Sequence, residues 1–326
     1  MRLSTDYQGD RGSGSTEGPK PAQLSTEYQK QAFQYHGYDL PARLRRHVAA
    51  LEGVRHPIAA PAHHRAARDY VAEQLQALGL APELLPFRFH GRTHHNVRAL
   101  LPGRDPSRPR LLLAAHYDST AETPGADDNA SGVAALLECA RLLLPRALAA
   151  GIEFVGLDLE ELHGPTYRVG SRRLAQQRRA RGERLAGALI LEMVGYRDRS
   201  VGAQIVPPFL GIDVPRTGDF LAAVGDAQSR ALLDGFVTGA RAAAPELPIV
   251  PYRTRLRGWL LPLTRLSDNA SFWDAGYPAL MLTDTAFLRN PHYHRRSDTS
   301  ATLDFEFMAQ VTEAVAGAAV RLAGGD

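Results

Sequence analysis

The chain has 326 residues, of which 44% are hydrophobic and 22% are charged, so it can bury a full core in one large domain or two small ones; we expect one. Its formal charge is only +3 and its arginines are scattered, which argues against nucleic acid as a partner although the sequence pI is about 9.1. The single cysteine, Cys139, excludes an intramolecular disulfide and is expected to be a buried, inert thiol.

Apolar residues recur at helical and strand spacing along most of the chain. A helical stripe runs from Ala67 to Leu78 and ends at Gly79, a second covers residues 133–144, and a third closes the chain at residues 305–322. Strongly apolar runs at residues 111–115, 152–158, 187–193, 219–224 and 278–283 predict strands between them. This alternation predicts an α/β fold, with a mainly parallel, twisted mixed sheet covered by helices.

Five groups of potential metal ligands lie in one order along this pattern. Three of them follow apolar runs directly, and the carboxyl ends of parallel strands are where open α/β sheets place their sites. Imidazole nitrogen and carboxylate oxygen are the ligands of zinc and of harder divalent cations. Any one group alone would be an unremarkable turn or solvated face. The groups are His116-Tyr-Asp118, Pro124-Gly-Ala-Asp127-Asp128-Asn129-Ala-Ser-Gly132, Glu160-Glu161, Glu192 and Tyr293-His294.

A two-metal hydrolase needs one bridging carboxylate, terminal ligands for each metal and a free base. We expect Asp127 to bridge, with His116 and His294 as the two imidazole ligands. Glu161 and Glu192 can each bind one of the two metals.

Two further carboxylates have catalytic roles in this interpretation. Glu160 precedes a ligand by one residue, so its side chain can stay off the metals and act as the general base. Asp118 lies two residues after His116 and can hold the second imidazole nitrogen of that ligand.

At these residues the chain resembles the zinc aminopeptidase and glutaminyl cyclase-like family of co-catalytic metallopeptidases, from about residue 40 to the end. The resemblance implies a zinc-exopeptidase-like fold, two Zn²⁺ ions and a peptide substrate with a free N-terminus. It implies that one zinc is held by His116, Asp127 and Glu192, and the other by Asp127, Glu161 and His294. It also implies a cis peptide bond after the bridging aspartate, at Asp127-Asp128. We expect residues 1–32 to be a disordered polar tail and residues 33–326 to form the catalytic domain.

The chain departs from its relatives at two positions. Glu192 stands where many relatives have the shorter aspartate, and Asn269 stands where relatives often have histidine, so that an amide replaces a titratable side chain, which argues against a proton-relay role there. A glutaminyl cyclase using one zinc and a catalytically inactive peptidase-like interaction domain remain alternatives to an aminopeptidase. No run of 18 apolar residues and no leader occurs, which predicts a cytoplasmic protein without a membrane partner; the oligomeric state is open.

The segment after residue 250 carries three arginines at period two. If it is extended, Arg253, Arg255 and Arg257 share one face and can meet a carboxylate of the substrate peptide.

Overall fold

The computed structural model describes residues 39–162, 168–208 and 210–325. The polar tail at residues 1–32 and its boundary with the catalytic domain lie outside these described residues.

An eight-stranded mixed sheet forms the centre of the fold, with the strand order β1-β2-β4-β3-β5-β8-β6-β7. Its four central strands, β4, β3, β5 and β8, run parallel, so their carboxyl ends meet at one edge of the sheet. β1 and β2 add an antiparallel hairpin on one side, and β6 and β7 form a parallel pair whose first strand is antiparallel to β8. The strands are β1 (Glu83–Phe89), β2 (Arg92–Leu101), β3 (Arg110–His116), β4 (Ile152–Leu157), β5 (Leu185–Leu191), β6 (Leu221–Gly225), β7 (Ile249–Arg253) and β8 (Ala279–Thr283).

Helices cover both faces of this sheet. Alternate residues of β3 show why: Leu111 and Leu113 pack into a large cluster on one face, whereas Leu112 packs into a second cluster on the other. Strands buried on both faces read as continuous apolar runs, which is what made β3, β4, β5 and β8 visible in the sequence. The described helices are α1 (Leu40–Leu51), α2 (Pro61–Ala77), α3 (Gly132–Leu143), α4 (Val169–Ala180), α5 (Arg230–Ala243), α6 (Asn269–Asp274) and α7 (Phe305–Leu322).

The predicted fold class is confirmed. The predicted strands match β3, β4, β5, β6 and β8 to within two residues at each end, and the three predicted helical stripes match α2, α3 and α7. Cys139 lies inside α3, where it is fully buried, and burial raises the pKa of its thiol. The spacing of apolar residues did not predict α1, α4, α5, α6, β1, β2 or β7. None of the helices in the part of the chain that the structure describes has the length and apolar character to cross a membrane.

Candidate metal centre

The predicted ligands lie at the shared carboxyl edge of the central strands. His116 is the last residue of β3, and Glu192 follows the last residue of β5. Glu160 and Glu161 lie three and four residues beyond the end of β4. Asp128 enters from an irregular turn at Ala126–Ser131 that leads directly into α3.

Asp128 lies between the two predicted histidine ligands. Its Oδ1 is 3.3 Å from Nε2 of His116, and its Oδ2 is 3.1 Å from Nε2 of His294. Glu192 flanks the first imidazole, with Oε1 3.5 Å from Nε2 of His116. Glu161 flanks the second imidazole, with Oε1 3.2 Å from Nε2 of His294. The Asp128 carboxylate is therefore shared by two groups of side chains, which we call half-sites. One half-site contains His116 and Glu192, and the other contains His294 and Glu161.

The predicted bridging role of Asp127 does not match this geometry. Its Oδ1 accepts a hydrogen bond from the backbone N–H of Gly195 at 2.9 Å, and its Oδ2 accepts one from Nδ2 of Asn290 at 2.6 Å. Both carboxylate oxygens of Asp127 thus hold other segments of the chain. The next residue, Asp128, lies between the two histidines instead. The cis peptide bond is shifted by the same single residue, from the predicted Asp127-Asp128 to Asp128-Asn129.

Glu160 is brought to the centre without joining either half-site. Its side chain is buried, and its Oε1 has no hydrogen-bond partner among the described residues. The backbone N–H groups of Glu160 and Glu161 donate to Oδ1 and Oδ2 of Asp118, at 3.1 and 2.9 Å. Asp118 therefore orients the two adjacent glutamates, a role that its spacing in the sequence did not reveal.

Asp118 also faces His116. Nδ1 of His116 lies 3.2 Å from the backbone carbonyl oxygen of Asp118 and 3.4 Å from its Oδ1. Both contacts hold the second ring nitrogen, and they favour a ring orientation in which Nε2 points to Asp128.

The loop that carries Asp128 is held by side chains outside the predicted ligand set. Asp298 accepts hydrogen bonds from the backbone N–H groups of Asp127 and Asp128, at 2.8 and 3.2 Å. Asn129 connects the loop to the end of β5, because its Nδ2 donates to Leu191 and its Oδ1 accepts from the backbone of Met193. Asp298 lies four residues after His294 in the sequence, and its position there did not indicate this function.

Burial and charge act in opposite directions on the two imidazoles. Burial lowers the pKa of His116, but Glu192, Asp118 and Asp128 outweigh it and raise that pKa well above the ordinary value. The pKa of His294 is raised to about 10, because hydrogen bonds to Asp128 and Glu161 outweigh its burial.

The carboxyl groups differ among themselves for related reasons. Burial alone would raise the pKa of Asp128, but the two imidazoles hold it well below its usual range. Burial and the charge of Asp128 raise the pKa of Glu161 to about 8. Burial raises the pKa of Glu160 well above the usual value, with Glu161 and Glu192 adding to the shift. Buried carboxylates keep their charge only where a cation or hydrogen-bond donors offset the cost of burial, and a bound cation would do so here.

The residues fit a pair of divalent cations. His116, Asp128 and Glu161 bring one ligand atom each to within 4.8 Å of one another. Nε2 of His116 and Oδ1 of Asp128 are buried atoms without a hydrogen-bond partner in the described ranges. Nitrogen and oxygen donors of this kind suit zinc, and orphaned buried donors and acceptors are costly unless something binds them.

Two other sequence-based expectations concern the rim of the centre. Ser267 donates a hydrogen bond from Oγ to Oε2 of Glu192 at 2.6 Å, which orients the longer ligand side chain. Asn269 is buried, and its Nδ2 donates to the carbonyl oxygen of Thr264 at 3.0 Å, so its amide has a structural contact.

The prediction that Arg253, Arg255 and Arg257 share one face of an extended strand is wrong. Arg253 ends β7, but the chain then turns, and Arg257 lies in a short 3₁₀ turn with a positive φ of 53°. The three side chains therefore do not follow one extended strand.

Most of the chain is similar in sequence to known proteins. Residues 96–319 match the model of peptidase family M28. The uncharacterized protein YfbL of Escherichia coli (strain K12) is 37% identical over 216 residues, which cover 64% of this chain and 65% of that protein. A probable leucine aminopeptidase 1 of Trichophyton verrucosum (strain HKI 0517) is 29% identical over 255 residues, which cover 74% of this chain and 61% of that protein. The matches thus span less than two thirds of these relatives.

A solved structure shows the same fold. The glutaminyl cyclase of Tannerella forsythia superposes with a TM-score of 0.64 at 22% identity, covering 86% of this chain and 97% of that chain. Because the family match covers more than half of the sequence and contains every predicted metal ligand, the chain belongs to peptidase family M28.

Proposed function

We propose that this protein is a zinc-dependent aminopeptidase that removes the N-terminal residue of peptides. The observation that carries the proposal is the Asp128 carboxylate, which faces His116 through one oxygen and His294 through the other. In this proposal Asp128 would help to hold both of two Zn²⁺ ions, one together with His116 and Glu192 and the other together with Glu161 and His294. Membership of peptidase family M28 supports peptide hydrolysis by such a centre.

When bound, the zinc pair supplies Lewis acidity for the scissile carbonyl and for the attacking water. Glu160 performs the proton transfer: its buried Oε1 accepts a proton from the attacking water and returns it to the leaving amine. Asp118 keeps that carboxylate in place through the backbone of residues 160 and 161. The surplus of carboxylates at this edge also attracts a free α-ammonium group, which favours peptides with an unblocked N-terminus.

A glutaminyl cyclase is the second candidate, because such an enzyme shares the fold. That intramolecular acyl transfer needs only one metal. Here His116 and Glu192 form a complete second half-site around Asp128, which favours hydrolysis by two metals over cyclisation by one. A catalytically inactive interaction domain is disfavoured, since Glu160 and all the predicted ligand types are present.

The experiment is a direct comparison of three substrates with zinc-loaded protein. We expect release of the first residue from a leucyl peptide, no release from the same peptide with an acetylated N-terminus, and no cyclisation of a glutaminyl peptide. Pyroglutamyl product from the glutaminyl peptide, without leucyl hydrolysis, would replace the aminopeptidase assignment with the cyclase. Absence of both reactions in protein with its metals bound would favour the inactive domain.

A further inference from the structure

Arg55 lies beneath the candidate metal centre and has no role in the reaction described above. It belongs to the connection between α1 and α2, outside the residues that match the family model, and its side chain is 1% exposed. A buried arginine is rare unless its charge and its five N–H donors have partners.

The partners of the Arg55 guanidinium are backbone carbonyl oxygens. Nε donates to Tyr117 at 2.9 Å and Nη2 donates to Gly125 at 2.8 Å. Nη1 donates to Leu51, Gly53 and Pro124, at 2.6, 3.0 and 2.7 Å.

Three of these carbonyls belong to the two segments that carry metal ligands. Tyr117 lies between His116 and Asp118 at the end of β3, and Gly125 begins the turn that presents Asp128. One rigid, planar group therefore connects the strand end of one ligand to the loop of the bridging ligand.

The turn at Gly125 leaves no spare room around this connection. Gly125 has a positive φ of 64°, and an added Cβ would lie 2.3 Å from the carbonyl oxygen of Asp128 and 2.8 Å from Nη2 of Arg55. The guanidinium group of Arg55 thus packs directly against the backbone of the turn that carries Asp128.

Arg55 has no ion pair among the described residues, although it is a cation. Burial lowers its pKa to about 10, which still leaves it charged at neutral pH. The nearby negative charges are the carboxylates of Asp298, Asp128 and Asp118, which oppose that lowering. The positive charge of Arg55 therefore interacts with several carboxylates of the centre and is not paired with any single one.

We propose that Arg55 is a positioning residue for the metal centre: by holding the Tyr117 and Gly125 carbonyls, it fixes the distance between His116 and Asp128 and so sets the affinity for zinc. This inference rests on the proposed two-metal centre, but it concerns metal binding rather than turnover. The role of Arg55 can therefore be disproved while the aminopeptidase assignment holds. Equally, Arg55 can set zinc affinity in a protein that is not an aminopeptidase.

The test is zinc affinity, measured by competition with a chelator of known affinity. We expect Arg55→Ala to bind zinc at least about tenfold more weakly than the parent, because five backbone carbonyl oxygens each lose one donor and the loop relaxes. Guanidinium at low millimolar concentration should restore much of the zinc affinity of Arg55→Ala. We expect it to enter through a groove of about 390 Å³ between α1 and α2 that Arg55 lines in part. Urea has the same planar shape without the charge and should restore less.

A second buried arginine provides the matched control. Arg178 is 3% exposed and pairs with Glu153 and Glu183, at the opposite edge of the sheet from the metal centre. Arg178→Ala should lower the melting temperature and leave zinc affinity unchanged. Parent-like zinc affinity in Arg55→Ala, together with a lower melting temperature, would reduce Arg55 to an ordinary stabilising residue and overturn the proposal.

Arg55→Lys decides the question if the alanine variant does not fold. Lysine keeps the charge but has three donors on a single nitrogen, so it cannot hold both segments in one plane. The proposal requires weaker zinc binding in Arg55→Lys, and parent-like affinity in that variant would contradict it.

Discussion

At the scale of single residues, the proposed hydrolysis depends on a carboxylate that lies close to the predicted metal ligands but is not one of them. Glu160 meets this condition, because its Oε1 is buried without a partner in the described part of the chain. We expect Glu160→Gln to keep both zinc ions and to lower kcat by about 10²–10⁴, the usual contribution of a positioned general base. Turnover and zinc content, measured on the same preparation, check this. Near-parental turnover would remove Glu160 from the mechanism.

Asp127 and Asp128 form a natural pair for testing the ligand assignment. An amide is a much poorer zinc ligand than a carboxylate, so Asp128→Asn should lose zinc. Asp127→Asn keeps the side-chain shape and should bind two zinc ions, with lower stability from its altered contacts to Gly195 and Asn290. Elemental analysis of both variants gives the answer, and the reverse pattern would return the bridge to Asp127.

The sequence predicted Asp127 as the shared ligand, whereas the structure places the adjacent Asp128 between the two histidines. Spacing cannot separate adjacent aspartates, because the irregular turn decides which side chain faces the histidines. Asp128 has φ −104° and ψ 87°, and Asn129 has φ −134° and ψ 41°, so neither follows the helix that begins three residues later. The roles of Arg55 and Asp298 were equally invisible, since both act on backbone groups that no side-chain motif reveals.

At the scale of secondary-structure elements, continuous burial made the central strands predictable. β1, β2 and β7 were missed because exposed and buried residues mix along them, and β7 contains Pro251 at the edge of the sheet. α1 could have been found, because its buried residues Leu40, Leu44, Val48 and Leu51 recur at helical spacing.

α1 and α3 are joined by a buried carboxylate whose contribution depends on pH. Glu138 of α3 accepts hydrogen bonds from Nε of Arg43 and Nε of Arg141 and contacts His47, and these partners outweigh its burial and lower its pKa to about 2. Because the folded pKa lies below the ordinary value of 4.5, the stabilisation is present above about pH 4.5 and is lost as the pH falls towards 2.

We therefore expect Glu138→Gln to lower the free energy of unfolding at pH 7 by roughly 1.5–3 kcal/mol, the usual value for hydrogen bonds to charged groups. The difference from the parent should shrink between pH 5 and pH 3. Denaturant unfolding of both proteins at several pH values measures it. A difference that stays constant across that range would contradict the assigned pKa.

At the scale of the whole molecule, zinc binding and folding should be coupled. The predicted ligands come from the ends of β3, β4 and β5, from the turn before α3 and from the segment after β8, so they approach one another only in the folded chain. A ligand that binds only the folded state at 100 times its Kd adds about 2.7 kcal/mol to stability. We expect the melting temperature to rise with zinc concentration and to fall on chelation.

Asp128→Asn is the control for this coupling. Its melting temperature should respond little to zinc, because both half-sites lose their shared ligand. An equal zinc response in the parent and in this variant would place the stabilising zinc elsewhere on the molecule.

The most direct measurement of the central claim is a zinc-soaked crystal structure with anomalous scattering recorded at the zinc absorption edge. We expect two anomalous peaks, one on each side of the Asp128 carboxylate, the first beside His116 and Glu192 and the second beside Glu161 and His294. A single peak, or a pair of peaks that Asp128 does not bridge, would contradict the two-metal centre proposed for this protein.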